Sequence, residues 1–152
     1  MLDRYTKELA RRRAENRLSE YEPYEKQREF HEAGAAHRER LLMAGNQLGK
    51  TYSGAAELAI HLTGRYPDWW KGHRFDRPID AWAGSDTSET TRDTVQTNLV
   101  GPPANEELWG TAAIPKDAIV GTSRRMGVAN ALDTVSVAHV SGGVSTLGFK
   151  SY

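Results

Sequence analysis

Ala44-Gly45-Asn46-Gln47-Leu48-Gly49-Lys50-Thr51 is the stretch of this sequence whose residue types and spacing could do chemistry. A small residue, four free positions and Gly-Lys-Thr make a phosphate-binding P-loop pattern, which arises by chance in roughly one in a hundred chains of this length. A nucleoside triphosphate carries several negative charges. A glycine-rich turn running into a helix lets successive backbone N–H groups converge on them, and the helix N-terminus adds its partial positive charge. In that arrangement Lys50 reaches the β- and γ-phosphates and is the candidate catalytic residue. Thr51 would place its hydroxyl on Mg²⁺, the backbone from Gly45 through Asn46, Gln47 and Leu48 to Gly49 would cradle phosphates, and Ala44 takes the place of the pattern's first glycine.

The elements that must position this loop follow from the flanking pattern. Residues 40–43 form a short apolar run ending in small residues, which predicts a buried strand. From Lys50 to about residue 63, Ala55, Leu58, Ala59 and Leu62 recur at helical spacing. Strand, glycine loop and helix are thus expected in that order, with Gly64 and Pro67 stopping the helix. Residues 78–85 and 88–99 read as a second strand and helix, the latter with Thr91, Val95 and Leu99 four apart. The glycine- and proline-punctuated stretch 105–131 offers only short helical turns. Residues 134–139 and 144–149, either side of Ser141-Gly142-Gly143, predict two adjacent strands. Ahead of the loop, residues 2 to about 21 suggest a solvated, weakly amphipathic helix, and 24 to about 35 a second short helix closed by Gly34.

Other residues invite functional readings beside plainer ones. The Gln27 amide can donate to and accept from an adenine edge, although an exposed helix glutamine is the commoner outcome on spacing alone. Phe30 fits a core position better than a stacking platform, and Trp69-Trp70 fits core packing better than base stacking. Arg11-Arg12-Arg13 could touch DNA phosphates, but such runs usually form a solvated face. The five histidines show no paired ligand spacing with carboxylates.

Composition bounds these readings. The 152 residues suit one domain, and 20 basic residues balance 20 acidic ones, so the strongly basic field of a nucleic-acid coat protein is missing and any DNA contact must be local. The absence of cysteine excludes disulfides, thiolate metal sites and a cysteine nucleophile. No apolar run approaches a membrane span and no secretory signal is evident, so a soluble protein without membrane contact is expected.

Four stretches together resemble the ATPase half of a tailed-phage terminase large subunit, the motor that packages DNA. They are residues 24–31 leading to 44–51, then Tyr66-Pro67-Asp68-Trp69-Trp70, then Ala81-Trp82-Ala83-Gly84-Ser85 with its helix, and Leu147-Gly148-Phe149-Lys150-Ser151-Tyr152. The resemblance implies an α/β fold with a RecA-like ASCE core, a mainly parallel sheet flanked by helices. It divides the chain into a helical N-terminal extension, 1–35, carrying the adenine-binding segment, and a P-loop ATPase core, 36–152. It makes Gln27 an adenine contact and ATP with Mg²⁺ the expected cofactors. The implied partners are double-stranded DNA, a portal protein and a small terminase subunit, with a homo-oligomeric ring in the host cytoplasm at the procapsid.

Two departures from the family pattern stand out. Many terminases carry an arginine within the P-loop, where this sequence has Asn46, Gln47 and Leu48, so Arg92, Arg124, Arg125 or a neighbouring subunit would have to supply charge stabilisation. The family's Walker B strand, ending in Asp-Glu, is expected after residue 152, and the nuclease domain beyond it. The only comparable pair, Glu106-Glu107, follows no apolar strand. These residues alone are therefore expected to bind nucleotide weakly, with negligible turnover. Two other readings use the same loop: a small-molecule or nucleotide kinase, and a truncated, non-catalytic binding or assembly module.

Overall fold

The computed structural model describes residues 1–45 and 49–152; Asn46, Gln47 and Leu48, the middle of the phosphate-loop pattern, lie outside the described residues. Helix α1, Leu2–Ala14, buries none of its side chains. Its basic run is spent on nearby carboxylates: Arg11 lies 2.7 Å from Glu8 and 3.4 Å from Glu15, Arg12 2.9 Å from Glu8, and Arg13 3.7 Å from Glu20. Hydrogen bonds from Arg11 and then Arg12 hold the Glu8 carboxyl down at about 2. The end of α1 is tied down where the Lys116 N–H donates to the Glu15 carbonyl at 3.0 Å.

A 3-10 turn, Arg17–Glu20, then drops Leu18 and, just beyond it, Tyr21 into the core, and α2 follows as Glu25–Ala33. Helix α3, Lys50–Thr63, is the central element. Its buried face is mostly small, Ala55, Ala56 and Ala59 with Ile60 and Leu62, so the backbone can approach the sheet closely. The Ser145 hydroxyl donates to the Leu62 carbonyl at 2.7 Å and the Val140 N–H to the Thr63 carbonyl at 2.9 Å, satisfying two of the helix's last carbonyls from the sheet side.

Gly64 ends α3 in the left-handed conformation, φ 72°, with its N–H on the Ile60 carbonyl. A Cβ there would lie 2.5 Å from His139 Nε2 and 2.8 Å from Val140 Cγ2. Gly64→Ala is therefore expected to destabilise the chain by about 1–3 kcal/mol, read as a lowered thermal midpoint. An unchanged midpoint would show that this corner relaxes freely.

Four strands form one sheet: β1 Asp80–Ser85, β2 Ile119–Arg124, β3 Leu132–Ala138 and β4 Val144–Ser151, in the order β1-β4-β3-β2. Between β1 and β2 runs a helical segment, 88–99, whose middle turns, Thr91–Gln96, are π-helical. The Thr91 hydroxyl donates to the Lys150 carbonyl at 3.0 Å, pinning this segment to β4. Alternate residues of the strands, Ala81 and Ala83, Leu147 and Phe149, Val135 and Val137, pack in the core with α3, Val95 and Leu99. On the other face Asp80 and Lys150 are exposed, and Trp82 is 78% exposed with the Lys150 ammonium 5.2 Å from its ring centre.

The structure corrects the expected architecture in three places. The sheet is mixed rather than mainly parallel: β1 and β4 run parallel, whereas β2–β3 and β3–β4 are antiparallel. Short connections turn the chain straight back at 125–131 and 139–143, and a parallel neighbour needs a long crossover, which only β1 to β4 provides. The run 40–43 forms no strand, and Leu41 and Met43 are 82% and 81% exposed, because no ladder partner is present for it among the described residues. Strand β2, within the stretch expected to hold only helical turns, pairs along one side of β3 and leaves all six of its residues exposed or half-exposed. Phe30 is not a core residue either; it is half-buried beneath Arg40. Trp70, by contrast, is 4% exposed and packs in the core with Trp69 against it.

Candidate nucleotide-binding site

Gly49 is the N-cap of α3 and sits at φ 75°, a left-handed conformation that lets the chain turn from the loop straight into Lys50 as the first helical residue. A Cβ on Gly49 would lie 2.8 Å from Gln27 Nε2, so glycine also allows α2 to approach. The Gly49 carbonyl accepts from the Ser53 N–H at 2.9 Å and the Ser53 hydroxyl at 2.8 Å, and the Gln27 amide reaches it at 3.5 Å. Lys50 Nζ donates to the Ala44 carbonyl at 2.7 Å, linking the next-to-last position of the pattern to its first. Ala44 and Gly45 are exposed; Thr51 is exposed on the first turn of α3, beside a groove of about 250 Å³ lined by Gly54, Leu58, Ala83, Gly84 and Leu99.

Gln27 is not an exposed helix glutamine. It is 8% exposed, its Oε1 accepts from the Tyr24 N–H at 2.8 Å to cap the start of α2, and its Nε2 faces Gly49. One side chain from α2 thus meets the N-terminus of α3, the place where the loop pattern ends.

Two turns further along α3, Glu57 is the one charged residue buried on a face of alanines, Ile60, Leu62, Ser53 and Thr63. The Arg40 guanidinium donates to one carboxylate oxygen at 3.1 Å through Nη1 and lies 2.8 Å from the other, and Nη1 also donates to the Phe30 carbonyl at 2.7 Å. His31 Nδ1 lies 3.5 Å and His61 Nε2 3.6 Å from the two carboxylate oxygens. Each imidazole is capped at its other nitrogen by a tyrosine hydroxyl, His31 Nε2 by Tyr21 at 2.9 Å and His61 Nδ1 by Tyr66 at 2.8 Å. Burial pushes both phenols up, so they keep their protons. Tyr66 in turn accepts from the Phe75 N–H at 2.7 Å. Neither imidazole makes a close hydrogen bond to Glu57, and His31 Nδ1 is buried without a partner among the described residues, so Arg40 and Glu57 form the hydrogen-bonded pair of the cluster. Burial alone would raise the Glu57 carboxyl; His31, His61 and Arg40 outweigh it and hold the group at about 2.

Comparison with known proteins bears on the same residues. The family described as "Terminase large subunit, T4likevirus-type, N-terminal" matches residues 41–152. The chain belongs to this family. It is also 41% identical to the "Terminase, large subunit" of Salmonella phage P22 over 89% of its own length, and spans about 30% of the length of that relative. No solved structure matches the chain.

Within this terminase chain the three arginines considered as sources of charge stabilisation are each held by local partners. Arg92 pairs with Asp93 at 2.7 Å and donates to the Ala129 carbonyl at 3.1 Å. Arg124 pairs with Glu106, and Arg125 donates to the Phe149 carbonyl at 3.1 Å. The residue that sequence reading passed over is Glu57. A carboxylate inside the alanine-rich face of α3, with His61 one turn on, was the available signal, since a charge on a buried helix face requires partners. Among the described residues no group of three or more metal-ligating side chains comes together, and no helix is long and apolar enough to cross a membrane.

Proposed function

We propose that these residues form the ATP-binding part of a phage terminase large subunit that couples ATP hydrolysis to translocation of double-stranded DNA into a procapsid. The observation that carries this reading is the convergence of Gly49-Lys50-Thr51 at the start of α3 with Gln27 of α2, one group suited to phosphates beside one suited to an adenine edge. In this reading the free N–H groups of the first turn of α3 and the backbone of residues 44–49 bind phosphate oxygens. The Lys50 ammonium leaves the Ala44 carbonyl to neutralise charge on the transferring group, and the Gln27 amide reads the base. Mg²⁺, when bound, supplies further neutralisation of phosphate oxygens, and the exposed Thr51 hydroxyl is the group that would hold it.

The architecture proposed with this function is a RecA-like ASCE core over residues 36–152 with a helical extension over 1–35. Its sheet would be the mixed one described above. A homo-oligomeric ring working with a portal protein and a small terminase subunit in the host cytoplasm completes the reading, and it rests on family membership. By themselves the 152 residues are proposed to bind nucleotide weakly and to turn it over negligibly, because among them no Asp-Glu pair follows an apolar strand. ATPase activity of the full-length protein, measured with and without double-stranded DNA, tests the motor. Stimulation by DNA is expected. Indifference to DNA together with phosphate transfer to a small acceptor would replace the motor with a kinase.

A further inference from the structure

Arg40 occupies an unusual position between the two helices that bear on the candidate site. Its Nη1 donates at once to α2, through the Phe30 carbonyl, and to α3, through Glu57, and its guanidinium lies 4.6 Å from the Phe30 ring centre. Phe30 and His31 sit one turn after Gln27 on α2; Glu57 sits two turns after Lys50 on α3. His31 adds a second link between the same two helices, facing Glu57 from α2. Arg40 is also four residues before Ala44, and among the described residues no strand pairing anchors 41–45 and no later side chain before the loop makes a hydrogen bond. A sheet ladder is what would ordinarily fix the chain entering such a loop; here a buried ion pair occupies that role.

We propose that Arg40 and Glu57 are positioning residues for nucleotide binding, holding the base-reading helix α2 and the phosphate-binding start of α3 in register so that both ends of one nucleotide are engaged together. The inference rests on the nucleotide-binding reading above and deepens it. Two subsites held at a fixed separation bind a ligand that spans them far more tightly than either binds its half, and loosening the link forfeits that gain without harming either half. Glu57 is suited to the task because its carboxylate is buried, accepts from Arg40 and has His31 and His61 close on other sides, and Arg40 because its planar fork can bond while lying flat on an aromatic ring.

The test uses the full-length protein and three probes: ATP, GTP and inorganic tripolyphosphate. In Arg40→Gln and, separately, Glu57→Gln, ATP affinity is expected to fall about tenfold and the preference for ATP over GTP to shrink by a similar factor, with tripolyphosphate affinity within about twofold of the parent. If Glu57→Gln does not fold, Arg40→Gln, at a site 22% exposed, carries the test. ATP and tripolyphosphate affinity falling together would overturn the proposal in favour of plain destabilisation, as would unchanged ATP affinity and selectivity in both variants. Gln27→Ala in the same assays separates the two levels. If it leaves the ATP preference intact, the adenine reading fails and the register proposal falls with it. If it abolishes the preference while Arg40→Gln does not, the register role alone is overturned.

Discussion

Full-length protein carrying Lys50→Ala is expected to lose ATP turnover by about 10²–10³-fold, with a smaller loss in ATP affinity. The division between the two effects follows from where charge grows. In the proposed site, backbone N–H groups at the start of α3 would meet the ground-state phosphates whether or not the ammonium is present, whereas Lys50, on a long flexible side chain, would follow charge developing on the transferring group. The fold should be unaffected, because the side chain is half-exposed and its bond to the Ala44 carbonyl is to an exposed residue. Lys50→Arg should not restore turnover, since a planar fork is larger and presents its donors differently from a compact ammonium. Steady-state kinetics with equilibrium nucleotide binding check the division. Equal losses in turnover and affinity would make Lys50 a binding residue only.

The second large effect is on acid stability of the 152-residue chain. Glu57 titrates at about 2 in the folded protein against an ordinary 4.5. A carboxyl depressed on folding stabilises the fold fully above its unfolded value, and that contribution disappears as pH falls through 4.5 towards 2, below which both states bind the proton. The loss across this window is about 3 kcal/mol, of the same order as breaking a buried ion pair. Glu8 is depressed to a similar value on the fully exposed α1, so acid unfolding would mix the two. Salt separates them: raising ionic strength screens the Glu8 pairs and leaves those of the buried Glu57 largely intact. Urea unfolding between pH 5 and pH 2 in high salt should therefore retain a steep fall in the parent chain and a shallower one in Glu57→Gln. Matching slopes would mean that Glu57 contributes nothing.

Local order was legible where one signal dominated. The α3 boundaries follow from a glycine on each side of a helical apolar repeat, and β1, β3 and β4 follow from short apolar runs between turn residues. Residues 40–43 misled because apolar composition states only that a strand is possible; a strand exists when a neighbour offers a ladder, and none is present here among the described residues. β2 was missed because Ile119-Val120-Gly121-Thr122-Ser123-Arg124 has too little apolar alternation to announce an edge strand, whose side chains water can cover. The sheet's mixed direction was implicit in the short connections, but the family resemblance pointed to parallel pairing instead.

The candidate site divides in the same way. Gly49, Lys50 and Thr51 were readable because loop chemistry is contiguous in sequence. Gln27 needed the resemblance to lift it above an ordinary helix residue, and its burial against Gly49 is information only the fold contains. The Glu57 cluster draws on Tyr21, His31, Arg40, His61 and Tyr66, dispersed along the chain, and apart from His61 one turn after Glu57 no spacing rule connects them.

The strand order also sets a sequence of assembly. β2, β3 and β4 meet across a few residues each, so their antiparallel pairing closes short loops at small entropic cost. β1 must find β4 across everything between Ser85 and Val144, and the loss of chain freedom for that closure is repaid only when the parallel pair and the helices above it come together. The three C-terminal strands can thus act as a template onto which β1 and the 88–99 segment are laid, with the Thr91 bond to Lys150 formed as they arrive. Slowing that final closure would delay the docking of β1 far more than the hairpin behind it.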